Sequence, residues 1–499
     1  MSQNLFDNLF IFEMANNHQG SLEHGLRIVH AMAEIARRHG IRAAVKLQYR
    51  DLDTMIHPAY KQRKDVKHIP RFLETRLDDN ANQALVQAIR DAGLVCVITP
   101  FDEPSVAKAV AHGVDILKVA SCSAMDWPLL DAMFRAGKPV IVSTGGMDLH
   151  DIDRVASFFT HREVPFALLH CVGMYPAPAD QLSLNFITKM RSRYRGIPVG
   201  YSGHEDPADL DPVRVAVSKG AAILERHVGI ATDAWKLNDY SSTPEQANLW
   251  VEAALRTRAI GGLADGKSVS PSEKALLRML MRGVYAARPI PKGQMIERGD
   301  IYFAMPCTEE TMTSGEYGHY RTRFIASRDY RPDDPVKEAL PPDEISKVRA
   351  IVHDAKGMLY EAQIELGRDI QIELSHHYGI DSFRQYGAVI ASIVNRSYCK
   401  KVILVFPGQE HPSHYHRKKE ETFQVLWGEL EVDREGVLTV LRPGDKMLIE
   451  PGQPHAFRSK DGAIFEEVST THEREDSVYL DERIARMDTL ERKTVVGNW

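Results

Sequence analysis

The chain has 499 residues, of which 43% are hydrophobic and 26% charged, with a formal net charge of −6. At about 150 residues per domain this length predicts two to four domains, and the mild acidity excludes a basic nucleic-acid coat. No apolar run nears the ~20 residues that span a bilayer, and the N-terminus "MSQNLFDNLFIFEM" lacks a basic start followed by a cleavable apolar segment. The five cysteines, Cys96, Cys122, Cys171, Cys307 and Cys399, include no C-x-x-C pair. The expectation is a cytoplasmic protein with reduced thiols and neither nucleic acid nor membrane as a partner.

In chain order, short β-rich apolar runs alternate with helical patterns as far as about residue 262. The runs are "LFIFEMA" (9–15), "AAVKLQ" (43–48), "VCVITP" (95–100), "ILKVAS" (116–121), "PVIVSTG" (139–145), "FALLHCVG" (166–173), "PVGYS" (198–202) and "ILERHV" (223–228). Segments such as "GLRIVHAMAEIARRHG" and "NQALVQAIRDAG" between them carry apolar residues at helical spacing. Eight strand-helix units in about 250 residues predict an α/β fold, a (β/α)8 TIM barrel over residues 1–262, with its active site at the C-terminal ends of the strands.

The residues that end these runs are polar. They are Glu13 and Asn16, Lys46 and Gln48, Thr99, Lys118 and Ser121, Ser143 and Thr144, His170 and Tyr175, Ser202 and His204, and Glu225 and His227. One such residue alone is a solvated loop or a hydrogen-bonded strand end, but their concentration at one end of every run points to a site. Lys46 and Lys118 supply point charges, and Ser121, Ser143 and Ser202 supply hydroxyls, a set that suits a phosphorylated, carboxylated anion. His204 and His227, on the seventh and eighth strands, are candidate ligands of a divalent metal that would leave positions open for water and substrate. Glu225 lies within reach of that pair, able to orient a ligand or move a proton.

Residues 263–281 read as a linker with one helix, and 282–345 as a small, turn-rich β module. Two similar phrases in it, "RPIPKGQMIERGDI" and "RDYRPDDPVKEAL", each read as strand, turn and acidic helix. From 350 to 485 strands follow an opening helix. There "GQEHPSHYHRKKEETFQVLWGELEV" spaces Gly408, His414, His416, Glu421 and Gly428, and "RPGDKMLIEPGQPHAF" adds His455. Strand alternation puts His414 and His416 on one face, with a carboxylate brought in by the next strand. The pattern resembles both motifs of the cupin family, the second shortened by one residue and with Ser459 where asparagine is common. This predicts an all-β cupin barrel that binds a divalent ion (Zn2+, Mn2+, Fe2+ or Ni2+) at His414, His416, Glu421 and His455.

The phrases "EMANNHQG", "VKLQ", "LKVAS", "STGG", "HCVGMYPAP", "GYSGH" and "ERHVGI" follow one another as in the sialic acid (N-acetylneuraminate) synthase family. The stretch "SVSPSEKALLRMLMRGVYAARPIPKGQMIERGDI" looks like that family's linker and antifreeze-like (SAF, β-clip) domain. The resemblance implies a transferase that condenses phosphoenolpyruvate with an aldose, commonly an N-acylated amino sugar, to a 2-keto-3-deoxy sugar acid and phosphate. By it, Lys46, Lys118, Ser121, Ser143 and Ser202 hold phosphoenolpyruvate, and His204 and His227 hold Mn2+ or Mg2+. Gln48, Tyr175 and Asp239 meet the sugar, with Glu13 at its reacting end. Glu13, His204, Glu225 and His227 form the catalytic set, and the SAF domain caps the barrel of a partner subunit in a homodimer. Three departures bear on the aldose: Cys122 and Ser123 stand where the family has Gly-Glu, Gly173 where a polar side chain is often found, and "FAMPCTEE" replaces Arg-Pro-Gly. Two other readings stay open for the C-terminal modules: a bifunctional enzyme whose cupin isomerises or epimerises a sugar, or sugar-binding modules without chemistry.

Overall fold

A computed structural model describes residues 5–499 except 64, 67, 263–265, 319–323, 339–342, 368, 474 and 498. Parts of the predicted linker and SAF module therefore lie outside the described residues. The chain forms two compact units, Met1–Ser268 and Val269–Trp499.

In the first unit eight parallel strands close into a barrel in sequential order: β1 (Leu9–Glu13), β2 (Ala43–Tyr49), β3 (Val95–Pro100), β4 (Ile116–Val119), β5 (Val140–Ser143), β6 (Phe166–Cys171), β7 (Val199–Gly203) and β8 (Ile223–His227). Each run read from the sequence supplies one strand. Side chains alternate between faces along a strand, and the inner core consists of residues two apart: Leu9 and Ile11, Ala44, Val97, Ile116, Ile141, Ala167 and Leu169, and Ile223. Continuing that alternation by one more step places Glu13, Lys46, Lys118, Ser143, Cys171 and Glu225 on the same inward face at the C-terminal end. The intervening residues, such as Phe10, Phe12, Val45 and Leu224, pack outward against the helices. Helix Leu22–His39 shows why those helices have defined ends. The Ser21 hydroxyl accepts from the His24 N–H at its start, and Gly40, in the left-handed region at φ 59°, stops it.

In the second unit the exposed helix Pro271–Leu280 precedes an antiparallel pair, β9 (Gly283–Ala286) and β10 (Ile301–Ala304). Around them Val284, Ile290, Ile296, Ile301, Phe324, Tyr330 and Val336 form a small core. The two similar phrases meet at the Ile290–Tyr330 bridge, and Tyr285, just before the first, bridges Pro335 in the second. Neither forms the helix expected from its acidic residues. The first holds one 3-10 turn, Arg298–Asp300, and the second, to residue 338, is turn and bridge. Pro332 and Pro335 remove the backbone donors a helix there would need.

Helix Glu344–Ala362 opens the cupin region. One sheet holds β11 (Ile372–His376), β12 (Gly387–Asn395), β13 (Tyr398–Val405), β15 (Glu421–Gly428), β18 (Lys446–Ile449), β20 (Ala463–Thr470) and β22 (Lys493–Val496). The other holds β14 (Glu410–His416), β16 (Leu430–Arg434), β17 (Val437–Leu441), β19 (His455–Arg458) and β21 (Ser477–Tyr479). The helix lays Ile351, Val352, Ala355 and Leu359 on Leu374, Val389, Val402 and Leu404. The alternate residues Ala388, Ile403, Val405, Phe423 and Phe465 form a separate core with Leu430, Val432 and Phe457 of the second sheet. The helix starts before residue 350, and β22 pairs with β11, so the region extends past the residue 485 boundary read from the sequence.

Candidate active site in the barrel and candidate metal centre in the cupin

At the barrel mouth a continuous polar relay crosses four adjacent strands. Lys46 Nζ contacts Glu13 Oε2 and lies 2.8 Å from Glu225 Oε1, and the Ser202 hydroxyl donates to that same oxygen at 2.8 Å. Gln48 Nε2 donates to Glu13 Oε1 at 3.3 Å. Gln48 is itself oriented by Arg50, which donates to its Oε1 at 2.7 Å and is sandwiched between the Phe72 and Phe101 rings. Across the barrel, Lys118 Nζ donates to Ser143 Oγ at 2.6 Å. Ser121 Oγ accepts from Gly145 N–H at 3.0 Å, an approach that requires glycine, because a Cβ on residue 145 would stand 2.7 Å from that oxygen.

Charge is concentrated here in a dry place: Glu13, Lys46, Lys118, Ser202 and Glu225 are all buried. Burial pulls the Lys46 ammonium down to about 8, against the attraction of Glu225. Burial alone would raise Glu225, but Lys118 and Lys46 hold its carboxyl down to about 2. Glu225 Oε2 and Thr99 Oγ1 are buried without a hydrogen-bond partner.

The rings of His204 and His227 lie 5.3 Å apart between centroids. Burial holds His204 at about 4 and His227 well below the usual imidazole value, so both are neutral at pH 7. His204 Nδ1 lies 3.1 Å from the Val172 carbonyl, which can only accept, so Nδ1 carries the proton and Nε2 keeps its lone pair. This pair fits a divalent metal as two neutral nitrogen donors that leave most positions to other ligands. Tyr175, over half exposed, sets its ring against His204 with centroids 4.3 Å apart and the planes tilted by 50°. Asp239 is exposed, whereas its neighbour Tyr240 sets its ring 5.1 Å from His227 and 5.3 Å from Tyr175.

Glu225, Arg226 and His227 divide between the two faces of β8. Arg226 points away from the mouth, 1% exposed, and donates to Glu205 Oε1 at 2.8 Å, while the Tyr201 hydroxyl donates to Glu205 Oε2 at 2.7 Å. Arg226 and Glu205 thus form a buried structural pair behind the site. Arg50, Glu205 and Tyr240 were missed in the sequence reading. For Glu205 a signal existed, since it follows His204 directly.

In the cupin, His414, His416, Glu421 and His455 are buried and offer ligand atoms within 4.8 Å of one another, the arrangement of a group able to hold a metal ion. His414 Nδ1 and His455 Nδ1 donate to the carbonyls of Pro412 and Gln453 at 3.1 and 3.0 Å, which leaves each Nε2 as a lone pair. His455 Nε2 stands 2.8 Å from Glu421 Oε1 without hydrogen-bond geometry, and His416 Nε2 stands 3.4 Å from Glu421 Oε2. Lone pairs and a carboxylate converging on one point call for a cation between them, so the donor set fits a divalent ion. Burial keeps His416 at about 4 and His414 well below the ordinary value.

Residues 32–262 match the NeuB family model, and 402–467 match the cupin domain model. A Chromobacterium violaceum crystal structure, described as a spore coat polysaccharide biosynthesis protein E, is 44% identical, covering 67% of this chain and all of its own at a TM-score of 0.65. The chain belongs to the NeuB family. Among its relatives, human N-acetylneuraminate-9-phosphate synthase is 26% identical over 57% of this chain and 80% of its own. The Campylobacter jejuni N,N'-diacetyllegionaminic acid synthase is 24% identical over 66% of this chain and 99% of its own. The NeuB match covers the barrel strands from β2 onward, and with them every residue of the barrel site except Glu13 on β1, and the cupin match covers the four candidate ligands on β14, β15 and β19. Among the described residues no helix is long and apolar enough to cross a membrane.

Proposed function

We propose that this NeuB-family protein condenses phosphoenolpyruvate with an aldose to give a 2-keto-3-deoxy sugar acid of the nonulosonate type and phosphate. The observation that carries the reading is the mouth of the barrel, where two buried ammoniums, Lys46 and Lys118, flank the His204–His227 pair. A buried cluster of two lysines and hydroxyl donors favours a multiply charged small anion, and low polarity strengthens each contact.

Lys46, Lys118, Ser121, Ser143 and Ser202 hold the carboxylate and phosphate of phosphoenolpyruvate. His204 and His227 would hold a divalent metal, Mn2+ or Mg2+, which would supply Lewis-acid polarisation of the open-chain aldehyde. Gln48 and Tyr175 orient the aldose, with Arg50 fixing Gln48 and Tyr240 closing the aromatic wall beside the histidines. The methylene carbon of phosphoenolpyruvate forms the new bond to the aldehyde carbon, whose oxygen takes up a proton. The cationic carbon left behind adds water, and loss of phosphate from it generates the 2-keto group. Glu13 and Glu225 are the carboxylates placed to accept the proton of that water, with Lys46 between them holding both in position.

The module over 282–345 acts as the SAF domain, and a second copy of the chain completes the assembly as a homodimer. Supporting this, Leu276, Leu277, Met279, Leu280 and Met281 are all exposed on or directly after helix Pro271–Leu280, an apolar face that a partner subunit would cover. The cupin holds a second divalent ion at its three histidines and Glu421. Incubation with phosphoenolpyruvate, Mn2+ and a panel of aldoses, read as phosphate release and product mass, tests the reading. Absence of aldose-dependent phosphate release across N-acylated and plain aldoses would overturn it.

A further inference from the structure

The cupin centre opens into a cavity of about 750 Å³ whose inner wall carries charges that the metal ligands do not account for. Lys401 on β13 lies 3.2 Å from Glu467 Oε1 on β20, and Lys419 Nζ lies 2.9 Å from the same oxygen while also contacting Glu421. All three side chains are almost fully enclosed. Lys401 is the inward residue two before Ile403 and four before Val405, both packed in the apolar core, so the fold itself asks for an aliphatic side chain there. A buried ion pair contributes little that well-packed hydrophobic residues would not.

The charge balance shows what these lysines are suited to. Lys401 and Lys419 against Glu421 and Glu467 sum to zero, and Glu373 is matched by Lys493 at 2.8 Å. Glu475 and Asp488, which also line the cavity, are exposed to solvent that screens them. Asp476, 3.8 Å from His416 Nδ1, is already satisfied by the amides of Lys418 and Lys419 and offsets at most one charge. A divalent ion at the four ligands therefore leaves the enclosed end of the cavity with excess positive charge, and burying uncompensated charge is costly. Three histidines and one carboxylate also leave two positions free on a six-coordinate ion.

We propose that this cavity binds a small 2-oxo carboxylate, whose carboxylate and neighbouring oxygen chelate the ion while Lys401 receives the negative charge. The inference rests on the metal and condensation readings above, because the condensation generates a compound of this class on the same chain. An ammonium has three donors, and Lys401 commits one of them to Glu467, so two remain for the ligand.

The test uses the full chain carrying His204→Gln and His227→Gln, so that the barrel pair does not contribute, loaded with Co2+ and titrated with pyruvate, inorganic phosphate or the uncharged aldose ribose. Cobalt absorption and calorimetry are the readouts. The expected result is one bound Co2+ per chain, with pyruvate altering its visible bands and binding with a Kd below about 1 mM. Lys401→Met should weaken pyruvate about tenfold or more with the cobalt count unchanged, and Lys401→Arg should restore most of the affinity. Bound cobalt whose spectrum ignores pyruvate overturns the inference alone, as does phosphate or ribose shifting the cobalt bands with at least the affinity of pyruvate, the bands being the readout that anions held by Lys46 and Lys118 in the barrel do not reach. Failure to bind cobalt, seen before any ligand is added, overturns the metal reading beneath it.

Discussion

The barrel mouth and the cupin lumen both bury clusters of polar residues carried on strands, yet they complete their sites in opposite ways. The barrel draws one or two groups from each of many parallel strands, and its candidate metal donors are the two imidazoles of His204 and His227, 5.3 Å apart between rings, beside a buried Lys46–Glu225 pair. The cupin takes four donors from β14, β15 and β19 and brings them within 4.8 Å of one another. A site with two protein donors would leave most of a metal's coordination to water and substrates, so on the proposed function catalysis and binding are coupled there. A site with four can hold its ion before any ligand arrives. Parallel strands bring many residues to one rim but each only once, whereas in the cupin the antiparallel neighbours β14 and β19 place three histidines together, facing the carboxylate that β15 supplies from the other sheet.

The largest expected effect falls on the site with fewer donors. His227→Ala should lower phosphate release on the order of 10³-fold, because several kcal/mol of polarisation rest on two nitrogens. Turnover near the wild-type rate would break the contrast, since the barrel would then not need its pair. In the cupin, Glu421→Gln should remove one metal equivalent per chain, counted by elemental analysis. It should also remove the metal-dependent gain in thermal stability, about 2.7 kcal/mol with the ion at a hundred times its Kd. If phosphate release collapsed along with that ion, the two sites could not be treated as separate.

A pH titration sharpens the comparison further. Lys46 loses its proton near pH 8 in the folded chain, while in the unfolded chain it stays charged to about 10.5. Between those values the unfolded state binds more protons, so this group makes folding stability rise with pH. Over the same interval the mouth loses a cation, and the KM for phosphoenolpyruvate should climb by up to about tenfold per pH unit. Calorimetric melting and initial rates between pH 7 and 10 check the opposite slopes, and a flat KM would remove Lys46 from the anion site. The smallest effect belongs to Gly173, where an added Cβ meets open space. Gly173→Ser should leave stability within about 0.5 kcal/mol and alter the kcat/KM ratio between two aldoses by less than about tenfold. A larger loss of stability would show that the glycine serves the backbone and not the width of the mouth.

Much of this was written locally in the chain. Each barrel strand is a short apolar run ending in one or two polar residues, and because side chains alternate along a strand, Ile11 inside implies Glu13 inside, and Ile223 implies Glu225 and His227. The cupin quartet was legible for the same reason, since His414 and His416 share a face by spacing alone. What tertiary structure decided is the fate of charges whose partners are distant in sequence. Buried parallel strands are apolar on both faces, so nothing in "ILERHV" by itself shows that Arg226 turns outward to Glu205 while its two neighbours turn inward. Only folding sets Tyr240, not Asp239, against the histidines, and only the pairing of β13, β15 and β20 brings Lys401, Glu421 and Glu467 to one wall. The outer strand β22 reaches β11 across more than a hundred residues. Local periodicity chooses which face a residue takes within its own strand, but the partner a buried charge requires is supplied by chain closure, which no local pattern encodes.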